Sequence, residues 1–385
     1  MVFLLAVIAR KSLGASKGET LVLTAAPTVL YILSIFWGTA LKRTTIRRYL
    51  LVYFCIGCLP YALSAAVPEL WWLIACHVVA CAGGAAWPAV NGELLRRVYS
   101  DSQRGRAYGL LTAAYMLGGA GAMLGLGHWL DKDPMAWRIY MPVLCAMQAV
   151  GLVVLGWLAT ATGAERAGTE RVASGTRADT SLIHQAFEPL THMKEVLRAD
   201  RVFARYEAAF MTYGIGWMIC TALLPLLVTD KLNLQYDQIA GSTHLTFLLV
   251  VAAMTVPAGL LMDKLGAMRM SAVSFWFYTS YPILLLLATG TASLTAASVL
   301  YGIAAAGVNV CWMLGPVSLA GTADKVPQYV AIHATLVGLR GAIFQALGVA
   351  LYWLTGSFEA PLLLAAAGFI WAGWQMWTLR KLKQG

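Results

Sequence analysis

The chain has 385 residues, of which 59% are hydrophobic and only 12% are charged, and its mean hydropathy is +0.69. A soluble domain is roughly 45–50% apolar and about 25% charged. The composition therefore excludes a disordered chain, a disulfide-stabilised scaffold and an ordinary soluble enzyme. A membrane-spanning helix needs about 20 apolar residues, so the chain has room for about a dozen.

Apolar runs follow one another closely and predict eleven membrane spans. They lie at about 21–41, 50–67, 71–95, 106–128, 137–161, 204–229, 240–262, 270–289, 293–319, 330–355 and 358–379. Residues 1–9 are apolar but too short to cross, and Arg10 and Lys11 follow this stretch rather than precede it, which argues against a signal peptide. A polar loop at 162–203 separates an N-terminal helix bundle, 1–161, from a C-terminal one, 204–385.

The distribution of Lys and Arg predicts how the chain is oriented. Of the 28 basic residues, 21 lie in one set of loops, six lie in the opposite set, and Arg340 lies within a span. Loops rich in Lys and Arg face the cytoplasm. The loop at 162–203 and the C-terminus are therefore expected inside, and the net charge of +10 needs no nucleic acid to explain it.

The two halves of the chain repeat each other. The pattern Gly38-x4-Arg43-x4-Arg48 recurs 221 residues later as Gly259-x4-Lys264-x4-Arg269. Paired six-helix halves are typical of secondary transporters. The repeat aligns residue 1 with about residue 220, so the first helix is expected to be incomplete. Either Met1 lies inside the first helix of a longer chain, or the protein works with a short first helix.

The stretch Gly259-Leu-Leu-Met-Asp263-Lys264-Leu-Gly266-Ala-Met-Arg269 resembles a loop signature of the major facilitator superfamily, GxxxD(R/K)xGxx(R/K). The resemblance covers the whole chain and implies two six-helix halves with a cytoplasmic C-terminus. In the family this loop latches the cytoplasmic gate; the alternative is a plain positively charged turn. The first-half copy has Lys42 in place of the family's Asp and Thr45 in place of Gly, so the latch is expected to rest on Asp263.

Three ionisable residues deep inside predicted spans are candidates for functional roles: His77, His333 and Arg340. His77 shares a helical face with Asn91 and could couple solute movement to protons, or it could be a neutral hydrogen-bonded histidine. His333 and Arg340 lie seven residues apart on one face, in a stretch that resembles bacterial family members of unsettled substrate. Arg340 is predicted to contact an anion or carboxylate, or else helix-end carbonyls.

Other polar and aromatic residues are candidates for a central cavity: Tyr31, Tyr213, Trp217, Asn309 and Trp312. The acidic residues lie almost wholly in loops. Glu93 and Glu207 are exceptions, but both fall near predicted cytoplasmic span ends. No carboxylate is therefore expected beside Arg340.

The leading functional prediction is a secondary transporter of a small solute, possibly anionic or polar and organic, in a bacterial cytoplasmic membrane. Its expected partners are the lipid bilayer, the solute and a coupling proton or ion. No cofactor, metal or enzymatic activity is expected, because the chain has no P-loop, HExxH or GxSxG motif. The alternative is a non-transporting receptor or assembly protein of the same fold.

Overall fold

The computed structural model of the protein describes residues 2–42, 44–98, 101–163, 193–320 and 325–383. Within these ranges the chain is built from helices and turns, which satisfy the backbone hydrogen bonds that lipid cannot. A short helical segment also lies at 193–199. The helices are α1 Val2–Ser12, α2 Lys17–Val29, α3 Ser34–Lys42, α4 Ile46–Tyr53, α5 Leu59–Ser64, α6 Leu70–Gly84, α7 Trp87–Val98, α8 Asp101–Lys132, α9 Trp137–Ala161, α10 Arg201–Leu226, α11 Tyr236–Ile239, α12 Thr246–Leu265, α13 Ala267–Tyr278, α14 Ser280–Leu286, α15 Thr291–Leu319, α16 Val326–Thr355 and α17 Glu359–Lys383.

The predicted spans coincide with these helices. Each of the eleven apolar runs falls on one helix or on two consecutive helices. Within the described part of the chain, eight helical segments are both long enough and apolar enough to cross a membrane. The all-helical membrane class is therefore confirmed, while the orientation and the division at 162–203 stay predictions. Residues 164–192 of that loop lie outside the described residues.

Several spans are interrupted by wider or tighter turns. A 3-10 turn at Leu30–Leu33 joins α2 to α3, and a π-helical turn at Phe54–Cys58 joins α4 to α5. Pro60 lies just beyond this π turn, and its missing N–H removes the helical bond that would continue α4 into α5. Two further π turns, Leu227–Lys231 and Ala240–Leu245, flank α11. Such turns frequently mark functional regions of helices.

Two compact units can be described separately. The first comprises 1–25, 116–133 and 189–385. Its core is aromatic, since Phe203, Tyr206, Phe210, Phe275 and Phe369 are all at most 1% exposed. Glycines let these rings approach neighbouring helices closely, as small residues commonly do in membrane proteins. In particular, the Tyr206 ring occupies the space where a side chain at position 315 would stand, and its hydroxyl donates to the Cys311 carbonyl at 3.0 Å.

Polar contacts join α1 and the end of α8 to the rest of this first unit. Arg10 forms a bidentate ion pair with Asp230, with nitrogen–oxygen distances of 2.9 and 2.8 Å. Asp131 accepts hydrogen bonds from the backbone N–H groups of Tyr236 and Asp237 at 2.7 and 2.8 Å. A carboxylate in this position caps the start of α11 and interacts favourably with the positive end of its dipole.

The second unit comprises 26–115 and 134–188. Its tightest helix contact is between α6 and the π turn after α4, where Gly83 meets the backbone of Gly57. A Cβ atom on Gly83 would overlap the Gly57 backbone, so this contact requires glycine. Side chains also bond to backbone carbonyls near the end of α6: the Tyr49 hydroxyl donates to Ala86 at 3.0 Å, and the Trp37 indole donates to Ala82 at 2.8 Å.

Candidate functional site

A buried polar cluster lies between α10 and α16 in the first unit. Glu207 and His333 are each 2% exposed, and Nδ1 of His333 lies 2.9 Å from both carboxylate oxygens of Glu207. An electrostatic interaction also links Glu207 to the buried Arg340. Burying such groups is costly unless they compensate one another. The expectation that Arg340 has no acid nearby is therefore wrong.

Helical periodicity explains why these residues meet. Glu207 and Gly214 are seven residues apart on α10, and His333 and Arg340 are seven apart on α16, so each pair shares one face of its helix. Position 207 contacts position 333, and position 214 contacts position 340. Because both numbers rise from the first contact to the second, the two helices run parallel. The sequence signal for Glu207 is an acidic residue inside an apolar run, since ionisable groups within membrane spans call for partners.

Arg340 reaches the backbone of α10 through the space left by Gly214. Its Nη1 donates to the Phe210 carbonyl at 3.0 Å, and its Cγ would stand only 3.1 Å from a Cβ atom on Gly214, with Cδ nearer still. Arg340 thus contacts a carbonyl, as one alternative expected, but the carbonyl lies inside a helix instead of at its end. This bond uses one of the five N–H donors of the guanidinium.

Aromatic rings surround the cluster. The guanidinium carbon of Arg340 lies 5.6 Å from the ring centre of Tyr213 and 5.7 Å from that of Trp217, within the range of cation–π attraction. The ring of Trp312 lies 5.3 Å from the ring of His333. The structure therefore brings five of the predicted site residues into one place.

Two buried nitrogen atoms of the cluster remain without a hydrogen-bond partner among the described residues. They are Nε of Arg340 and Nε2 of His333. An unsatisfied buried polar group costs about 1–3 kcal/mol, so such atoms are uncommon and call for an explanation. Both belong to side chains that are at most 3% exposed.

The remaining predicted cavity residues do not share these contacts. Asn309 on α15 is exposed, while Tyr31 and Asn91 are half-buried and belong to the second unit. In that unit His77 is fully buried, its Nδ1 lies 3.3 Å from the Tyr61 hydroxyl, and its Nε2 lies 3.5 Å from the Cys81 sulfur. The ring of His77 thus contacts a phenol and a thiol, both neutral groups.

The predicted gate motif is partly described. Gly266 lies between α12 and α13 with φ of +77°, a conformation that strongly favours glycine and accounts for its place in the motif. Asp263 and Lys264 are exposed in the last turn of α12, and Arg269 is half-buried in α13. Gly259 and the first-half Gly38 have open space around the position of a Cβ atom, so neither marks a close helix contact.

The first-half copy of the motif can be followed only in part, because Arg43 lies outside the described residues. Arg48 is exposed in the first turn of α4. Among the described residues, no basic group lies within ion-pair distance of Asp263. The role of these residues as a latch therefore stays a prediction.

Apolar helices that enclose ionisable groups are characteristic of polytopic membrane proteins with a transport pathway. The sequence model of the Major Facilitator Superfamily matches residues 1–348, and the chain belongs to this family. The suspected family is thus confirmed.

Solved transporter structures have the same fold at low sequence identity. The human organic anion transporter MFSD10 (TETRAN) is 15% identical, with a TM-score of 0.65 over 93% of this chain and 83% of that one. A POT family transporter in complex with a thioalcohol-conjugated peptide is 12% identical, with a TM-score of 0.68 over 100% of this chain and 92% of that one. No curated protein matches the chain in sequence.

Proposed function

We propose that the protein is a secondary transporter that moves a small solute by alternating access across a bacterial cytoplasmic membrane. Family membership and the shared fold support transport. The observation that carries the site assignment is the buried pair of nitrogen atoms, Nε of Arg340 and Nε2 of His333, with no hydrogen-bond partner among the described residues. A solute that reached this cluster would satisfy them.

The chemistry of the cluster favours a polar organic solute with an acceptor group. Nε of Arg340 carries a hydrogen, so its partner must accept a hydrogen bond. Carboxylate and carbonyl oxygens both fit this requirement. Because Glu207 balances the charge of Arg340, the cluster is formally neutral when His333 is neutral. The cluster therefore favours a solute that has a hydrogen-bond acceptor and an apolar part that packs on Tyr213 and Trp217. Net negative charge on the solute matters less.

The same cluster is a candidate for a coupling proton. Nδ1 of His333 lies against the carboxylate of Glu207, so adding one proton to the pair changes its charge within a buried site.

Flux measurements in proteoliposomes test the proposal. A panel of labelled carboxylates and neutral polar solutes is screened with the wild-type protein. For any solute that is transported, Arg340→Ala should reduce flux by at least about tenfold, since a charged hydrogen bond contributes about 1.5–3 kcal/mol. Arg201→Ala is the control, because Arg201 is an exposed arginine at the start of α10.

Three outcomes separate the alternatives. Unchanged flux in Arg340→Ala contradicts the site but leaves transport standing. Loss of flux in Arg201→Ala as well indicates a general effect of removing charge. A folded wild-type protein that moves none of the solutes favours a non-transporting receptor or assembly protein.

A further inference from the structure

A groove between α4 and α9 carries positive charge at one end and apolar residues along its length. Its volume is about 740 Å³, and its lining includes Arg47, Arg48, Phe54, Leu152, Gly156 and Trp157. The two helices run antiparallel. The stem of Arg47 lies 3.8 Å from the Cβ position of Gly156, and further along, Gln148 donates to the Tyr53 hydroxyl at 3.3 Å.

Within the described part of the chain, the charged end of the groove has no acidic partner at ion-pair distance. Arg47 and Arg48 are both exposed, and no carboxylate among the described residues lies within 4.0 Å of either guanidinium. Both belong to the first turn of α4, which has no acidic residue. The first turn of a helix is its positive end and favours anions. Two arginines there add to the positive potential, so a bound anion would relieve it.

The rest of the groove matches an acyl chain in length and character. Its lining on α9 extends from Ala149 to Thr160, which at 1.5 Å per residue is about 16 Å along the helix. This is about half of the ~30 Å hydrocarbon thickness of a bilayer, and therefore about one leaflet. Leu152 lies at the buried floor, while Val153 and Trp157 are 71% and 68% exposed along the rim.

We propose that this groove binds one anionic phospholipid from the leaflet on the predicted cytoplasmic side. Its phosphate lies against Arg47 and Arg48, and one of its acyl chains lies between α4 and α9. Basic pockets between membrane helices on the cytoplasmic side bind anionic lipid headgroups. Free phosphate would satisfy the arginines but would leave the apolar length of the groove without a role. This site is separate from the polar cluster of α10 and α16 and does not depend on transport.

Native mass spectrometry of the purified protein in detergent provides the test. Dioleoyl-phosphatidylglycerol and dioleoyl-phosphatidylcholine are each titrated into the protein and their retention is compared. Inorganic phosphate is titrated in a separate experiment. We expect one tightly retained phosphatidylglycerol. The double variant Arg47→Gln/Arg48→Gln should weaken its binding by about 25-fold, at about fivefold for each arginine near the membrane surface. The matched control is Arg201→Gln/Arg205→Gln, which removes two exposed arginines from the first turns of α10.

A second variant tests the apolar part without changing charge. At position 156 a Cβ atom would meet Arg47 and Leu50 at ordinary contact distances of 3.8 and 4.0 Å, so Gly156→Leu should fold and fill the groove. It should reduce phosphatidylglycerol binding by at least about tenfold, because a leucine side chain displaces several methylene contacts of about 0.8 kcal/mol each.

Several results would overturn the proposal. The first is equal retention of the two lipids by the wild-type protein. The second is an equal loss of phosphatidylglycerol binding in the two double arginine variants, and the third is undiminished phosphatidylglycerol binding in Gly156→Leu. Displacement of the lipid by millimolar inorganic phosphate would assign the site to a free anion instead. A folding defect in the Arg47→Gln/Arg48→Gln variant would leave Gly156→Leu as the deciding measurement.

Discussion

Replacing Glu207 with glutamine should destabilise the protein more than the loss of an ordinary hydrogen bond would. The side chain keeps its shape, so its contact with His333 is preserved while the negative charge is removed. His333 loses the charged acceptor that lies 2.9 Å from its Nδ1. Arg340 loses the carboxylate that interacts with its charge inside the bundle.

The expected magnitude follows from these two losses. A hydrogen bond to a charged group contributes about 1.5–3 kcal/mol, whereas side-chain hydrogen bonds between membrane helices average about 0.6 kcal/mol. Removing one partner of a buried ion pair costs about 3–5 kcal/mol. Because glutamine can still accept one hydrogen bond, we expect Glu207→Gln to cost about 2–3 kcal/mol of unfolding free energy.

Equilibrium unfolding in mixed micelles with increasing sodium dodecyl sulfate measures this change. Glu359→Gln is the matched control, because it makes the same chemical change at an exposed residue and should stay within about 0.5 kcal/mol of wild type. The double variant Glu207→Gln/Arg340→Gln tests charge compensation. Its cost should fall short of the sum of the single costs by about 1–3 kcal/mol.

Two results would refute the reasoning. A cost near 0.6 kcal/mol for Glu207→Gln would mean that the contact with His333 is an ordinary neutral hydrogen bond. Additive costs in the double variant would mean that Glu207 does not compensate the charge of Arg340.

Two other contacts make predictions of their own. Gly83→Ala should lower stability by about 1–3 kcal/mol, because its Cβ atom would overlap the Gly57 backbone. Gly84→Ala is the control, with no atom within 4 Å of its Cβ position, and equal melting temperatures in detergent would contradict the close contact. Asp131→Ala removes the acceptor of the first two N–H groups of α11, a loss worth about 0.5–2 kcal/mol. Amide exchange in α11 should accelerate by about 2–30-fold, and unchanged exchange would show that the carboxylate does not hold this helix.

The membrane spans could be predicted because lipid imposes a local rule. Each span needs a continuous apolar run of fixed length, and this requirement can be seen in a single stretch of sequence. The glycine at position 266 was likewise visible as part of a spaced motif, and the structure supplies its reason in a positive φ.

The polar cluster could be predicted only in part. His333 and Arg340 were recognised because ionisable residues inside a span are expensive and demand a partner. Glu207 was set aside because it lies seven residues into α10, near a predicted membrane boundary. Its partner is 126 residues away, and the pairing depends on the parallel packing of α10 and α16. Sequence distance from a span end therefore says nothing about burial among other helices.

The contact of Arg340 with Gly214 also limits which substitutions these two positions can accept during evolution. A Cβ atom at 214 would occupy the place of the Arg340 side chain, so the glycine cannot acquire a side chain while the arginine stays where it is. The two positions should therefore vary together. Homologues that keep the arginine should keep the glycine, and those with a larger residue at 214 should have a shorter one at 340. The evolutionary tree of these proteins should then contain one branch with the glycine and the arginine and another with the substituted pair. The residues at these two positions, 126 apart in sequence, identify the branch to which a homologue belongs.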